Sequence, residues 1–151
     1  MGALADRERI RDRYAATSFA VDLRDADGLA DCYMADAVVE VVGRRRIEGR
    51  SAITATLASP SHNLHLTSNL WIRAMSDHSA KCSCYMLLVD RATGRTTAYG
   101  HYEDELVCCD DGEWRFALRH VHYLWTSDSY IGAGQSIDSR QGHPSDGCST
   151  P

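Results

Sequence analysis

The chain has 151 residues, 44% of them hydrophobic and 25% charged, with a formal net charge of −5 at pH 7. That is the length of one domain with one sizeable core. The composition argues against nucleic acid, since the short RRR at 44–46 is an isolated basic run, and against a membrane protein, since no apolar run nears the ~20 residues of a membrane span.

Residues 6–24 read as a helix that Asp6 can cap, with Ile10, Tyr14, Thr17 or Ser18, and Val21 recurring at three and four. Tyr14 on that stripe is a candidate ligand contact. Asp22 falls near the C-terminal end, where a carboxylate opposes the helix dipole. A solvated surface Asp is the plain reading; a buried partner is the other. A second helix is expected from about 26 to 34, with Leu29, Cys32 and Tyr33 inward. AVVEVV at 37–42 is a β-branched strand. GRRRIEG then leads to a short helix over 50–57, which Ser59-Pro60-Ser61 stops.

From there the pattern is sheet. Strands are expected over 64–75, 80–90, 96–109 and 114–125, with RATGR and DDGE as turns. Helices followed by antiparallel hairpins predict an α+β fold, with helices packed on one side of a curved sheet and a pocket between them. Leu and Ile on the other sheet face favour a homodimer. The tail from 126 to 151 is rich in Ser, Gly, Asp and Pro. It is expected to be disordered or, through Tyr130 and Ile131, to fold back as a partial lid.

Strict alternation over 64–75 puts His65, Thr67, Asn69, Trp71 and Arg73 on one face. That face is too polar for plain core and, with Trp71, too aromatic for solvent. It suits a pocket wall, with Asn69 and Trp71 as ligand contacts. An imidazole can take and return a proton near neutral pH, which makes His65 a candidate base. A structural histidine is the competing reading, and a carboxylate partner would decide against it by fixing the tautomer and stabilising the imidazolium. Asp22 is the best-placed candidate and Asp25 the reserve. Alternation over 114–125 groups Phe116 and His120 on one face and Arg119 on the other. Arg119 or Tyr102 could offset charge on an enolate or a leaving anion; surface pairing and core packing are their respective alternatives.

His120-x-His122 shares a face but has no placed third ligand, so no metal site is expected. Six cysteines lack zinc spacing and read as reduced and structural. There is no phosphate loop, no GxSxG elbow and no dinucleotide fingerprint. No cofactor is expected. The N-terminus has no apolar signal core, and Asp6 stands where myristoylation favours Ser or Thr. A cytoplasmic location is the expectation.

Taken in order, IRDRYAATSFAVDLRD, LADCYMADAVVEV, IEGRSAI, HNLHLTSNL and YGHYEDELVCCDDGEWRFALRHV resemble the SnoaL-like branch of the NTF2-like superfamily. The resemblance covers residues 7–123. It implies a cone-shaped α+β fold, its curved antiparallel sheet wrapped around N-terminal helices and enclosing a deep apolar pocket, often in a dimer. The superfamily includes polyketide cyclases, scytalone dehydratase, steroid isomerase and a hexachlorocyclohexane dehydrochlorinase, most of them cofactor-free acid-base enzymes. It also includes structural dioxygenase subunits. VDLRD and HLTSN look most like the dehydrochlorinase and dehydratase group. There, the Asp near the end of the first helix pairs with a strand His that acts as base, and these positions fall on Asp22 and His65. The aromatic position of GHYED falls on Tyr102, the basic one after WRF on Arg119, and a substrate-gripping tyrosine on Tyr33. Val21 stands where the dehydratase has a tyrosine.

The resemblance implies a cofactor-independent lyase, isomerase or cyclase acting on a small apolar or aromatic, polyketide-like molecule. The alternative is a non-catalytic binding module or a structural subunit of an oxygenase assembly.

Overall fold

The computed structural model describes residues 3–128 and residue 130. Its first element, α1 (Ala3–Leu23), buries Ile10, Tyr14, Thr17, Ala20 and Val21 on one side, the stripe that helical spacing predicts. The helix ends in a reversal at Arg24, which takes φ 59°. The Asp25 N–H donates to the Ala20 carbonyl at 2.9 Å and the Arg24 N–H to the Val21 carbonyl at 3.2 Å. This pair of bonds closes the last turn. It leaves Asp22 in that turn, with its side chain free to reach outside the helix.

Asp25 then caps α2 (Ala26–Asp31), accepting from the Gly28 N–H at 2.9 Å. α2 is shorter than its apolar spacing suggested. Cys32 closes it, and Tyr33 already belongs to β1 (Tyr33–Val41). Helical spacing and strand pairing compete for Tyr33, and the strand wins because the Phe116 N–H donates to the Cys32 carbonyl at 2.9 Å. The segment expected as a plain connection contains β2 (Arg45–Glu48), which hairpins onto β1. Then come α3 (Arg50–Leu57), β3 (Asn63–Met75), β4 (Ser79–Asp90), β5 (Thr96–Cys108) and β6 (Trp114–Thr126).

The six strands form one sheet in the order β2-β1-β6-β5-β4-β3. The α+β class and the NTF2-like arrangement of helices and sheet hold, but two parts of the expected architecture are corrected. The sheet is not curled into a cone: β2 and β3 are its two edges and do not pair with each other. Nor is it wholly antiparallel, because β1 runs parallel to β6. The chain between β1 and β6 is long enough to return to the same end of the sheet before β6 starts. A hairpin-only reading has no place for such a crossover.

α1 packs against β3 and β6, and α3 against β1. Beneath them the inner sheet face is apolar: Ala80, Cys82, Cys84, Met86 and Leu88 of β4 alternate inward. Gly100 of β5 is required by close approach. A Cβ there would stand 1.8 Å from the His122 carbonyl oxygen. The outer face keeps a row of exposed apolar side chains, with Leu66 opposite Leu87, Leu87 opposite Tyr99, and Tyr99 opposite Trp125. No described helix is long and apolar enough to cross a membrane. Of the tail, residues 129 and 131–151 lie outside the described residues, and so does the expected lid at Ile131.

Candidate active site

A cleft enclosing about 950 Å³, its open mouth included, lies between α1, α3 and the inner sheet face. That figure includes open solvent; the cavity proper measures about 100 Å³. Val21, Val39, Ile47, Leu57, Leu88 and Val121 give it apolar walls. Tyr33, Tyr102, Tyr123 and Tyr130 add aromatic surface.

His65 stands on this wall at the start of β3. Its ring Nδ1 lies 2.7 Å from Asp22 Oδ1. Its backbone N–H donates to the same carboxylate, at 3.2 and 3.1 Å to the two oxygens. Both side chains are largely shielded, at 20% exposure for His65 and 12% for Asp22. Arg91, just beyond β4, donates to the Asp22 carbonyl and to the Asn63 carbonyl, and its guanidinium sits 3.9 Å from Asp22 Oδ1. The carboxylate that opposed its own helix dipole is thus matched by an imidazole, a strand N–H and a guanidinium. With Nδ1 engaged by a carboxylate, the favoured tautomer carries its proton there and leaves the lone pair on Nε2.

A second polar group lies deeper. Arg119 Nε and Nη2 donate to the two oxygens of Asp104, at 2.9 and 3.0 Å. Tyr14 donates its hydroxyl proton to Asp104 Oδ2 at 2.5 Å. The guanidinium also lies 4.2 Å from the Tyr102 and Phe116 ring centroids. Burial works against the Arg119 charge, but the Asp104 carboxylate outweighs it and holds the pKa well above its ordinary value. Burial pushes the Tyr14, Tyr33 and Tyr102 phenols up, so all three stay protonated donors. The Tyr33 hydroxyl is buried with no hydrogen-bond partner among the described residues. A buried hydroxyl without a partner is an unmet donor beside the cleft.

Of the residues singled out in the sequence, His65, Arg119, Tyr33 and Tyr102 line the cleft. Asp22 backs His65, while Tyr14 and Phe116 lie beneath the wall around Arg119. Three others are elsewhere. Asn69 is exposed with φ 55°, and the β3 register slips by one residue between Ser68 and Trp71. That bulge reverses the side-chain alternation, so Trp71 is turned out at 66% exposure while Ile72 points in. In β6 the register slips again between Phe116 and Leu118. Phe116 and Arg119, on opposite faces by strict alternation, therefore share the inner one. His120 faces outward, its Nε2 3.7 Å from Glu40 Oε2.

Arg91 and Asp104 were not picked out from the sequence, because only tertiary contact shows their partners. Tyr123, Tyr130, Arg44 and Arg45 also line the cleft. Among the described residues no group of three or more His, Cys, Asp or Glu side chains is arranged to hold a metal ion.

The SnoaL-like domain model matches residues 2–120. No curated protein is significantly similar to the chain. Among solved structures, a provisionally named scytalone dehydratase from Novosphingobium aromaticivorans is 25% identical, with a TM-score of 0.74, over 89% of this chain and 94% of that one. The protein Rv3472 of unknown function from Mycobacterium tuberculosis is also 25% identical, with a TM-score of 0.72, over 80% and 77% of the two chains. The hexachlorocyclohexane dehydrochlorinase LinA-type3 from Novosphingobium barchaimii shares the fold at 20% identity, with a TM-score of 0.70, over 88% and 97%.

Proposed function

We propose that this chain, which belongs to the SnoaL-like domain family, is a cofactor-independent enzyme that starts its reaction by removing a proton from a small aromatic or apolar substrate. The observation that carries the reading is the 2.7 Å contact between Asp22 Oδ1 and His65 Nδ1 at the edge of an open cleft. His65 Nε2 is the base. Asp22 holds the ring and stabilises the imidazolium that forms. The electron pair left on the substrate moves into an adjacent carbonyl to give an enolate, or expels a leaving group in an elimination. Negative charge developing on substrate oxygen meets the Tyr102 hydroxyl, with Arg119 over the same ring. The imidazolium then returns its proton to carbon, or to the departing group, so the enzyme ends as it began.

The similarity to proteins named for dehydration and dehydrochlorination supports elimination as the outcome, with isomerisation and ring closure as variants of the same first step. The open cleft favours this reading over a purely structural subunit. The row Leu66, Leu87, Tyr99 and Trp125 supports self-association of two copies through the outer sheet face, which sedimentation would read directly.

The test of the first step needs no knowledge of the natural substrate. Solvent deuterium exchange into the acidic carbon of a bicyclic aryl ketone such as β-tetralone is followed by NMR. Wild type should exceed the buffer rate, and His65→Gln should return it to that rate. Equal exchange by wild type and His65→Gln would remove His65 as the base.

A further inference from the structure

Three of the chain's seven histidines lie together on the outer sheet face, away from the proton transfer. His101 of β5 pairs with His122 of β6. Their rings are parallel, with centroids 4.5 Å apart and 4° between the planes. His120 meets His122 edge-on, at 6.3 Å. In the next outward row Tyr99 stacks on Trp125 at 5.6 Å, and Leu87 and Leu66 carry that apolar strip on to the β3 edge. The histidine stack therefore borders the strip.

The carboxylates around the stack already have basic partners. Arg46 lies beside Glu40 and Glu48, Arg73 beside Glu103, and Lys81 beside Glu105. From β4, His101 faces the phenol of Tyr85. Glu103 Oε2 is 3.4 Å from His122 Nε2, a buried atom with no hydrogen-bond partner among the described residues. Glu40 Oε2 is 3.7 Å from His120 Nε2. Glu103, shared with Arg73, can balance one charged ring of the stack but not two. Parallel imidazoles tolerate this spacing while at most one is charged. Two imidazolium rings repel, and more strongly where water is excluded.

A two-fold axis through Leu87 and Tyr99 lays strip on strip, and the charges of both signs beside it suit a partner with the same mix. A second copy of this chain is therefore the occupant that fits. Covering the strip also takes the adjoining stack out of water, which is costly for a doubly charged pair. Association thus favours the proton-poor stack. By linkage, protons added as pH falls bind the separated copies preferentially and pull them apart. An imidazole makes that charge change between about pH 8 and pH 5.

We infer that self-association through the outer sheet face is switched by pH, with the His101–His122 stack as the sensor. The inference rests on the reading of that face as a self-association surface, and it is independent of the cleft chemistry.

Sedimentation velocity of the full chain at about pH 8 and about pH 5.5, at one salt concentration, tests it. Wild type should be dimeric at the higher pH, and its dissociation constant should rise at least about tenfold at the lower one. His101→Gln and His101→Gln/His122→Gln should stay dimeric at both. Trp125→Asp should be monomeric at both, which places the contact on this face. Circular dichroism of the same samples should show wild type folded at both pH values. Wild type that is monomeric at the higher pH overturns the association and the switch with it. Equal dimer affinity at both pH values overturns the switch alone. Histidine variants that still separate in acid, or acid separation that is simply unfolding, also overturn it.

Discussion

The Asp22 carboxylate holds His65 at two points: the ring Nδ1, 2.7 Å away, and the backbone N–H, at 3.1 and 3.2 Å. One side chain from the end of α1 therefore fixes both the first residues of β3 and the direction of the imidazole. Asp22→Asn keeps the shape but replaces an acceptor with an amide that can donate to Nδ1. That favours the tautomer whose lone pair faces the wrong way. Exchange activity should fall about a hundredfold to ten-thousandfold, with ligand affinity little changed. The ratio of kcat to binding affinity, read from the same samples, checks it.

The Arg119–Asp104 pair has a different role in stability. Its side chains are 8% and 0% exposed, and Tyr14 adds a third bond. Asp104→Asn leaves a buried guanidinium without its charge partner, and should destabilise the fold by about 3–5 kcal/mol. Tyr14→Phe removes one bond to a charged acceptor and should cost about 1–3 kcal/mol. Urea unfolding of both variants measures the difference. An Asp104→Asn variant as stable as wild type would mean the pair is dispensable.

Alkaline pH should act through the inner cysteines. Burial pushes Cys82 and Cys84 up to about 12 from an ordinary thiol value of 9.0. A folded-state pKa raised above the unfolded one gives stability that is complete below the unfolded value. It is lost as pH rises from about 9 towards 12, because only the unfolded chain releases those protons readily. Native protein at mildly alkaline pH should therefore resist iodoacetamide at Cys82 and Cys84, while the urea-unfolded chain reacts. Peptide mass spectrometry of the two states checks it.

Much of this was legible in residue pattern, and the exceptions share a cause. Ile10, Tyr14 and Val21 marked the buried side of α1, and the run over 80–90 marked the strand that is β4. Both signals are local. Trp71 and His120 were misplaced because alternation is read by counting, and one extra residue reverses the count. Asn69 is among the non-glycine residues that accept a left-handed backbone most readily, so it was the available clue to the β3 bulge. Ala117 offered no such sign. The parallel pairing of β1 with β6 and the open sheet are matters of chain path, which local pattern does not encode. Asp22 could be set beside His65 from layout, with Asp25 in reserve, and the resemblance singled out the pair. Arg91 could not be named at all, because its reach to Asp22 exists only once the turn after β4 has folded beside α1.

The most direct measurement is the exchange rate of the double variant Asp22→Asn/His65→Gln set beside those of the two single variants. If the carboxylate acts only by preparing the imidazole, the double variant should be no slower than His65→Gln alone. If instead the two losses multiply, Asp22 contributes to the reaction independently of His65, and the account of one base held by one carboxylate is contradicted.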